Sequence, residues 1–255
     1  MKYLLSTVSA GVLLLGLANP GNATLMIAAT VGASSFSCFD NQSGCDTNNA
    51  IGTLTLGSTN IGGVTFEGSS QLQFIGPPTN SLLTNSTQIT NTTGTTQTIT
   101  FVVGGTDFAA PTNTATLAGS GTWLNAPAST ISLAWYGDTT NQQGAENVTD
   151  LPGTQLSTAN FTAVGGADSF DTGQVTVPFV TTGPYSWTMW AQGDLISGAQ
   201  ATLAGRSQDI TSDVTPVNEP SSLAIMGAGL VGMGWFVRRR QKKQEDFGQQ
   251  DLLAA

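Results

Sequence analysis

Acid–base chemistry in this sequence falls first to its carboxylates, because its 255 residues include no histidine. Histidine is the usual general base and the commonest metal ligand. Its absence removes Ser-His-Asp and Cys-His arrangements, and neither a G-x-S-x-G elbow nor a Walker loop is present. Two carboxylates alone can hydrolyse a glycosidic bond when held at the right separation. Glu67, Glu146, Asp168 and Asp171 are the nominal candidates, each set among glycine, asparagine, serine or threonine, where an acid reads first as a solvated turn cap. Asp46-Thr47-Asn48-Asn49 begins like a calcium loop but lacks the glycine at the sixth position and the closing glutamate. Gly227-Ala228-Gly229-Leu230-Val231-Gly232 fits the dinucleotide fingerprint letter by letter, yet its glycines lie inside the apolar run from Leu223 to Val237. No catalytic set, cofactor or metal centre is therefore expected, and calcium held by some loop stays open. Trp123, Trp135, Trp187 and Trp190 could stack on sugars, since a flat apolar ring matches the C–H face of a pyranose; on strands they read first as core. Trp187 and Trp190 have opposite strand parity, which directs one of them toward the surface.

The elements that must carry these side chains are strands. Only 9% of residues are charged, against about 25% in ordinary soluble proteins. Glycine, threonine, serine and asparagine fill the gap, while a 39% hydrophobic fraction is too apolar for simple disorder. Short β-branched or apolar runs alternate with period two and are broken by Gly, Asn, Asp and Pro. In Thr98-Ile99-Thr100-Phe101, Ile99 and Phe101 share one face; in Ile131 to Tyr136, Ile131, Leu133 and Trp135 share one. The pattern predicts an all-β antiparallel sandwich, jelly-roll-like or Ig-like, over residues 24–215. Candidate strands are Leu25–Val31, Ile51–Leu56, Gly63–Phe66, Gln71–Ile75, Gln88–Thr90, Gln97–Val103, Thr114–Leu117, Gly121–Leu124, Thr130–Tyr136, Phe161–Val164, Gln174–Phe179, Tyr185–Gln192 and Ala199–Ala204. Turns are expected at Gly104-Gly105, Gly137-Asp138, Gly165-Gly166 and Gly183-Pro184, and a long polar surface loop from Asp138 to Gly153. Cys38 and Cys45 are the only cysteines, and a disulfide closing their small loop is the default in an exported chain.

The two ends read as targeting segments. Lys2, the apolar Leu4 to Leu17 and the small residues Gly21-Asn22-Ala23 predict a signal peptide over 1–23, handled by the Sec machinery and cut by signal peptidase. An uncleaved membrane anchor is the alternative. Near the other end, residues 221–237 carry no charge and give about 25 Å of helix, close to the lower limit for a bilayer span. Arg238, Arg239 and Arg240 follow as a stop-transfer cluster, which leaves the 241–255 tail in the cytoplasm. Of the seven basic residues, only Arg206 lies between Lys2 and this cluster, so nucleic acid is excluded as a partner of the acidic middle.

Asn218-Glu219-Pro220-Ser221-Ser222-Leu223-Ala224, the glycine-rich apolar run and the three arginines resemble the PEP-CTERM sorting signal of exported bacterial proteins over residues 216–240. The family's Pro-Glu-Pro falls on Asn218, Glu219 and Pro220, with Asn in place of the first proline. The resemblance implies recognition by an exosortase, a transient inner-membrane anchor, and delivery to the cell surface or extracellular matrix, with exopolysaccharide as the neighbour. A plain single-pass anchor is the alternative. The expected role is a non-enzymatic structural or adhesive β module. The alternatives are a secreted carbohydrate-active enzyme or carbohydrate-binding module, and, less favoured, an ice-binding protein suggested by Thr53, Thr55, Thr98 and Thr100.

Overall fold

The computed structural model describes residues 24–75, 79–108 and 111–213. The expected signal peptide, the sorting segment with Asn218, Glu219, Pro220 and the arginine cluster, the 221–237 span and the 241–255 tail lie outside them. Among the described residues no helix is long and apolar enough to cross a membrane.

Thirteen strands run in the order β1 (Leu25–Val31), β2 (Ser34–Phe39), β3 (Thr53–Ile61), β4 (Val64–Ile75), β5 (Thr79–Asn91), β6 (Gln97–Phe108), β7 (Thr112–Leu124), β8 (Thr130–Asp138), β9 (Thr154–Thr162), β10 (Ala167–Asp171), β11 (Val175–Thr181), β12 (Tyr185–Leu195) and β13 (Gln200–Asp213). They form two wholly antiparallel sheets. One has six strands in the order β2-β1-β6-β12-β8-β9; the other has seven, β10-β7-β13-β5-β4-β3, with β11 also paired to β7. Inward residues of both sheets share one core. Ile131, Leu133 and Trp135 on β8 and Ile99, Phe101 and Val103 on β6 meet Leu54, Phe66, Leu82, Ile89, Leu117 and Ile210 of the other sheet there. The alternation read from the sequence is thus the alternation of this core with the two outer faces. At one end Phe108, Phe179, Tyr185 and Trp187 form an aromatic cluster with centroids 4.6–6.4 Å apart, mostly in tilted or edge contacts.

Several strands differ from expectation for identifiable reasons. The two candidate segments within β4 are one strand, as are the two within β7, because register shifts rather than turns interrupt their patterns. Gly104-Gly105, expected as a turn, continues β6 between β1 and β12, pairing Met26 with Gly104 and Thr188 with Gly104. Strands β2 and β10 are short and lie at sheet edges, with Phe36 and Cys38 on one and Phe170 on the other facing the core, too few repeats for periodicity to reveal them. Strand β9 occupies Thr154–Thr162, upstream of the expected Phe161–Val164.

A line of irregularities crosses the seven-stranded sheet: between Leu56 and Thr59, Glu67 and Ser69, Leu203 and Gln208, and Thr202 and Gln208. Gly68 sits in this line at φ 147°, where an added Cβ would meet the Thr87 Cα at 2.6 Å. At the line the buried inner face carries polar side chains, Ser70, Thr84, Thr87 and Gln208, before the apolar Leu82 and Ile210 follow. Gln208 Nε2 crosses to the other sheet and donates to the carbonyls of Ala134 (3.0 Å) and Trp190 (3.2 Å). Its own carbonyl accepts from Thr84 Oγ1 at 3.3 Å.

Cys38 and Cys45 are joined as expected, tying the end of β2 to the following turn. Gln208→Leu should lower stability by on the order of 3 kcal/mol, because two carbonyls lose their inter-sheet donor. Cys38→Ser should cost about 2 kcal/mol, the value for a short closed loop. Urea denaturation of each variant checks both, with an unchanged Gln208→Leu midpoint refuting the cross-sheet role.

Candidate functional site on the outer face of the six-stranded sheet

Alternation along β12 puts Trp187, Met189 and Ala191 in the core, and Thr188, Trp190 and Gln192 on the outer face. Trp123, Trp135 and Trp187 are core residues at 3%, 1% and 0% exposure, whereas Trp190 is half-buried on that outer face. The parity argument therefore holds for the pair Trp187 and Trp190. Around Trp190 the side chains are small or polar. Its cross-strand row runs Ser37, Ala28, Val102, Trp190, Ala134, Thr158. The next row runs Ser35, Thr30, Thr100, Gln192, Ser132, Asn160. Gln192 Nε2 donates to Thr100 Oγ1 at 3.0 Å, and beyond it Thr98 Oγ1 donates to Asp194 Oδ1 at 2.6 Å.

One side of this face is walled by the segment 139–153. It was expected as a free surface loop, but Gly144 and Ala145 are buried against the sheet. The approach needs glycine on both sides. A Cβ on Gly104 would run into the Gly144 carbonyl oxygen, and one on Gly144 would run into Thr188 Oγ1. Two acids anchor the loop. Asp107 and Asn141, both at positive φ, exchange hydrogen bonds: Asp107 N donates to Asn141 Oδ1 (2.8 Å) and Asn141 Nδ2 to Asp107 Oδ1 (2.7 Å). The buried Asp138 carboxylate accepts from the backbone N–H groups of Gln142 (2.8 Å) and Thr140 (3.1 Å) and from the Thr140 hydroxyl. Burial pushes the Asp138 carboxyl up, but these donors outweigh it and hold it below the ordinary value of 3.8. Between the loop and the sheet edge lies a cavity of about 210 Å³, lined by Ala28, Thr30, Ser35 and Ser37 below and by Glu146 and Asn147 above.

A second cleft, about 300 Å³, opens between β9 and the β10–β11 edge. It brings two nominated residues together: Trp135 lines its apolar side with Leu117, Phe161 and Val175, and Asp171 lies on its polar side with Ser157 and Thr172. Both polar residues near its mouth are engaged locally, since Asp171 Oδ1 accepts from Gly173 N (2.8 Å) and Thr172 Oγ1 from Gly119 N (2.9 Å). Trp135 is too buried to offer a stacking face.

The other nominated carboxylates lie elsewhere. Glu146 lines the outer-face cavity, and Glu67 is exposed on β4. Asp168 accepts from the N–H groups of Val164 and Ser169, both at 2.8 Å, which hold its carboxyl below the ordinary range. Asp46, the start of the calcium-like motif, accepts from the backbone N–H groups of Asn41, Asn48 and Thr55, so its oxygens shape the Cys38–Cys45 turn. Among the described residues no group of three or more acidic or cysteine side chains could hold a metal ion. The sequence singled out Thr100 only as part of a threonine pair, and did not pick out Ser132, Asn160 and Gln192. Their signal was available in the outward positions two residues apart on β6, β8, β9 and β12.

The described fold is an all-β antiparallel sandwich. Residues 216–240 match the family model of the PEP-CTERM protein-sorting motif, so the chain carries that motif. It marks a chain for export and membrane-anchored sorting and fits an exosortase substrate. Comparison with curated protein sequences finds no match. Among solved structures, the chain is similar to TmCBM61 in complex with β-1,4-galactotriose at 10% identity, over 50% of this chain and 66% of that one, with a TM-score of 0.25. It is also similar to the enzymatically active domain of bacteriophage CBA120 tailspike protein 4 at 13% identity, over 61% and 20%, with a TM-score of 0.27. A carbohydrate-binding module of Cellvibrio mixtus lichenase 5A in complex with cellotriose is similar at 12% identity, over 62% and 92%, with a TM-score of 0.22. Scores this low carry no argument about this chain.

Asp138 supplies a pH test of the loop anchor. A depressed carboxyl contributes stability that is complete above its ordinary value of 3.8 and lost as pH falls through the lower folded-state value. Amide exchange at Thr140 and Gln142 should therefore lose protection below about pH 4, the ordinary carboxyl range. Asp138→Ala should reproduce that loss at neutral pH, and unchanged protection in this variant would refute the anchor.

Proposed function

We propose that this is an exported bacterial protein of the cell surface or extracellular matrix, whose β domain is a non-enzymatic structural or adhesive module. The observation that carries the reading is the PEP-CTERM motif at 216–240, downstream of a disulfide-tied, charge-poor sandwich. On this reading the 1–23 segment directs export and is removed. The 221–237 segment holds the chain transiently in the inner membrane, stopped by Arg238, Arg239 and Arg240. An exosortase then acts near Asn218, Glu219 and Pro220.

A non-catalytic role is supported by the placement of the acids. Glu146 and Asp171 line different cavities, and neither Glu67 nor Asp168 lines either of them. Glycosidic hydrolysis needs two carboxylates across one bond. The winding supports the jelly-roll-like form of the sandwich: the chain changes sheets at β2–β3, β5–β6, β6–β7, β7–β8, β9–β10, β11–β12 and β12–β13. A carbohydrate-binding module is the second reading, favoured by the half-buried Trp190 on a polar sheet face.

Mass spectrometry of the mature protein from wild-type and exosortase-deficient cells tests the sorting step. Wild-type protein should end near Glu219 and Pro220, and the deficient strain should keep the chain through Ala255. An intact C-terminus on mature wild-type protein would sink the exosortase assignment.

A further inference from the structure

We propose that the outer face of the six-stranded sheet, from the Glu146–Val148 wall to Trp190, binds a neutral polysaccharide chain. The inference rests on the surface-module reading above and names the ligand class and the site. Three observations carry it.

The first is the chemistry of the face. Trp190 is a half-buried ring at its centre, flanked in its own row by Val102 and Ala134. A ring among small neighbours gives a pyranose C–H face room to lie against it. The adjoining row offers hydroxyls and amides from Thr30, Gln192, Ser132 and Asn160, with the buried Thr100 holding Gln192 in place, and these match sugar hydroxyls as both donors and acceptors. Between Ser37 and Ala134 the row crosses four strand spacings, roughly 19 Å at about 4.8 Å each. That length suits several linked pyranose units rather than one monosaccharide.

The second is charge. The charged side chains at this face are carboxylates, Glu146 at the cavity and Asp194 beyond Gln192. The one basic residue between Lys2 and Arg238 is Arg206, on β13 of the other sheet. A polyanionic polysaccharide would meet only repulsion here, whereas carboxylates accept hydrogen bonds from neutral sugar hydroxyls.

The third is rigidity. Gln208 holds the Trp190 carbonyl from inside the core, and the Gly104–Gly144 contact together with the Asp138 and Asp107 anchors fixes the wall. A site fixed before binding loses less conformational entropy on association.

The test is affinity electrophoresis of the full chain in detergent, in gels containing soluble β-glucan, galactan or dextran, with alginate as the polyanion. At least one neutral glycan should retard the protein and alginate should not. Trp190→Ala should weaken that retardation about tenfold or more, as loss of a central aromatic contact does, while Trp190→Phe keeps part of it. Ser132→Arg fills the polar row without touching the core and should also abolish binding, which covers the case of a misfolded Trp190→Ala. The proposal is overturned if no neutral glycan retards the protein. It also fails if Trp190→Ala and Ser132→Arg bind like wild type, or if the face captures a proline-rich peptide but no glycan. None of these results bears on the C-terminal mass, so failure of this site and failure of the sorting reading are separately visible.

Discussion

The Gln208 amide is the interaction on which the arrangement of this sandwich turns. Two stacked sheets are normally joined by apolar contact alone, which is non-directional and leaves their relative position soft. Here a row of register shifts crosses the seven-stranded sheet beside one inward amide, and that amide reaches two carbonyls on β8 and β12. A directional bond across an apolar interior must be satisfied or it costs more than it contributes. It therefore fixes how β13 sits over β8 and β12. The residue whose carbonyl it holds, Trp190, is the one tryptophan of the domain that faces outward. An amide of one sheet thus holds the backbone of a residue that faces outward on the other.

The same device recurs at both ends of the sandwich, always with neutral groups. The buried Asn91 donates to the carbonyls of Thr95, Leu195 and Ile196 and ties the β5–β6 turn to the β12–β13 turn. At the opposite end the Tyr185 hydroxyl accepts from Asn80 and shares a hydrogen bond with Ser212. Burial pushes the Tyr185 phenol up, so it stays protonated as the network requires. With Arg206 the single basic residue of the described region, ion pairs have little part in holding these strands. Neutral amides and hydroxyls carry no Born cost and gain nothing from low ionic strength, so these ties between the sheets are themselves insensitive to salt.

Much of the sandwich was legible in the sequence because its signals are local. Period-two alternation marked β1, β6, β8, β11 and β12, and the parity of Trp187 and Trp190 separated core from surface. The disulfide followed from two cysteines in an exported chain. What was not legible depends on partners distant in sequence. Gly104 reads as a turn until Gly144 is seen to lie on it, and Gln208 reads as a solvent-facing amide until its bond to the facing sheet is seen. The edge strands β2 and β10 are too short to repeat an apolar pattern and are held by pairing with β1 and β7. For the candidate site, the ring was visible in the sequence but its polar surroundings were not. They come from the six strands of the sheet, spread between Thr30 and Gln192 and brought side by side only by the topology.

That topology also separates the site from the chain's exits. Thr24 N donates to Thr106 Oγ1, and Thr112 Oγ1 donates to the Asp213 carbonyl. The first and last described residues are therefore fixed to the two flanks of the β6–β7 connection, at one end of the sandwich. Trp190 lies across the middle of its sheet, opposite Val102 and Ala134. Strand β13 therefore finishes at that end of the sandwich, while the strands around Trp190 cross the middle of the other sheet.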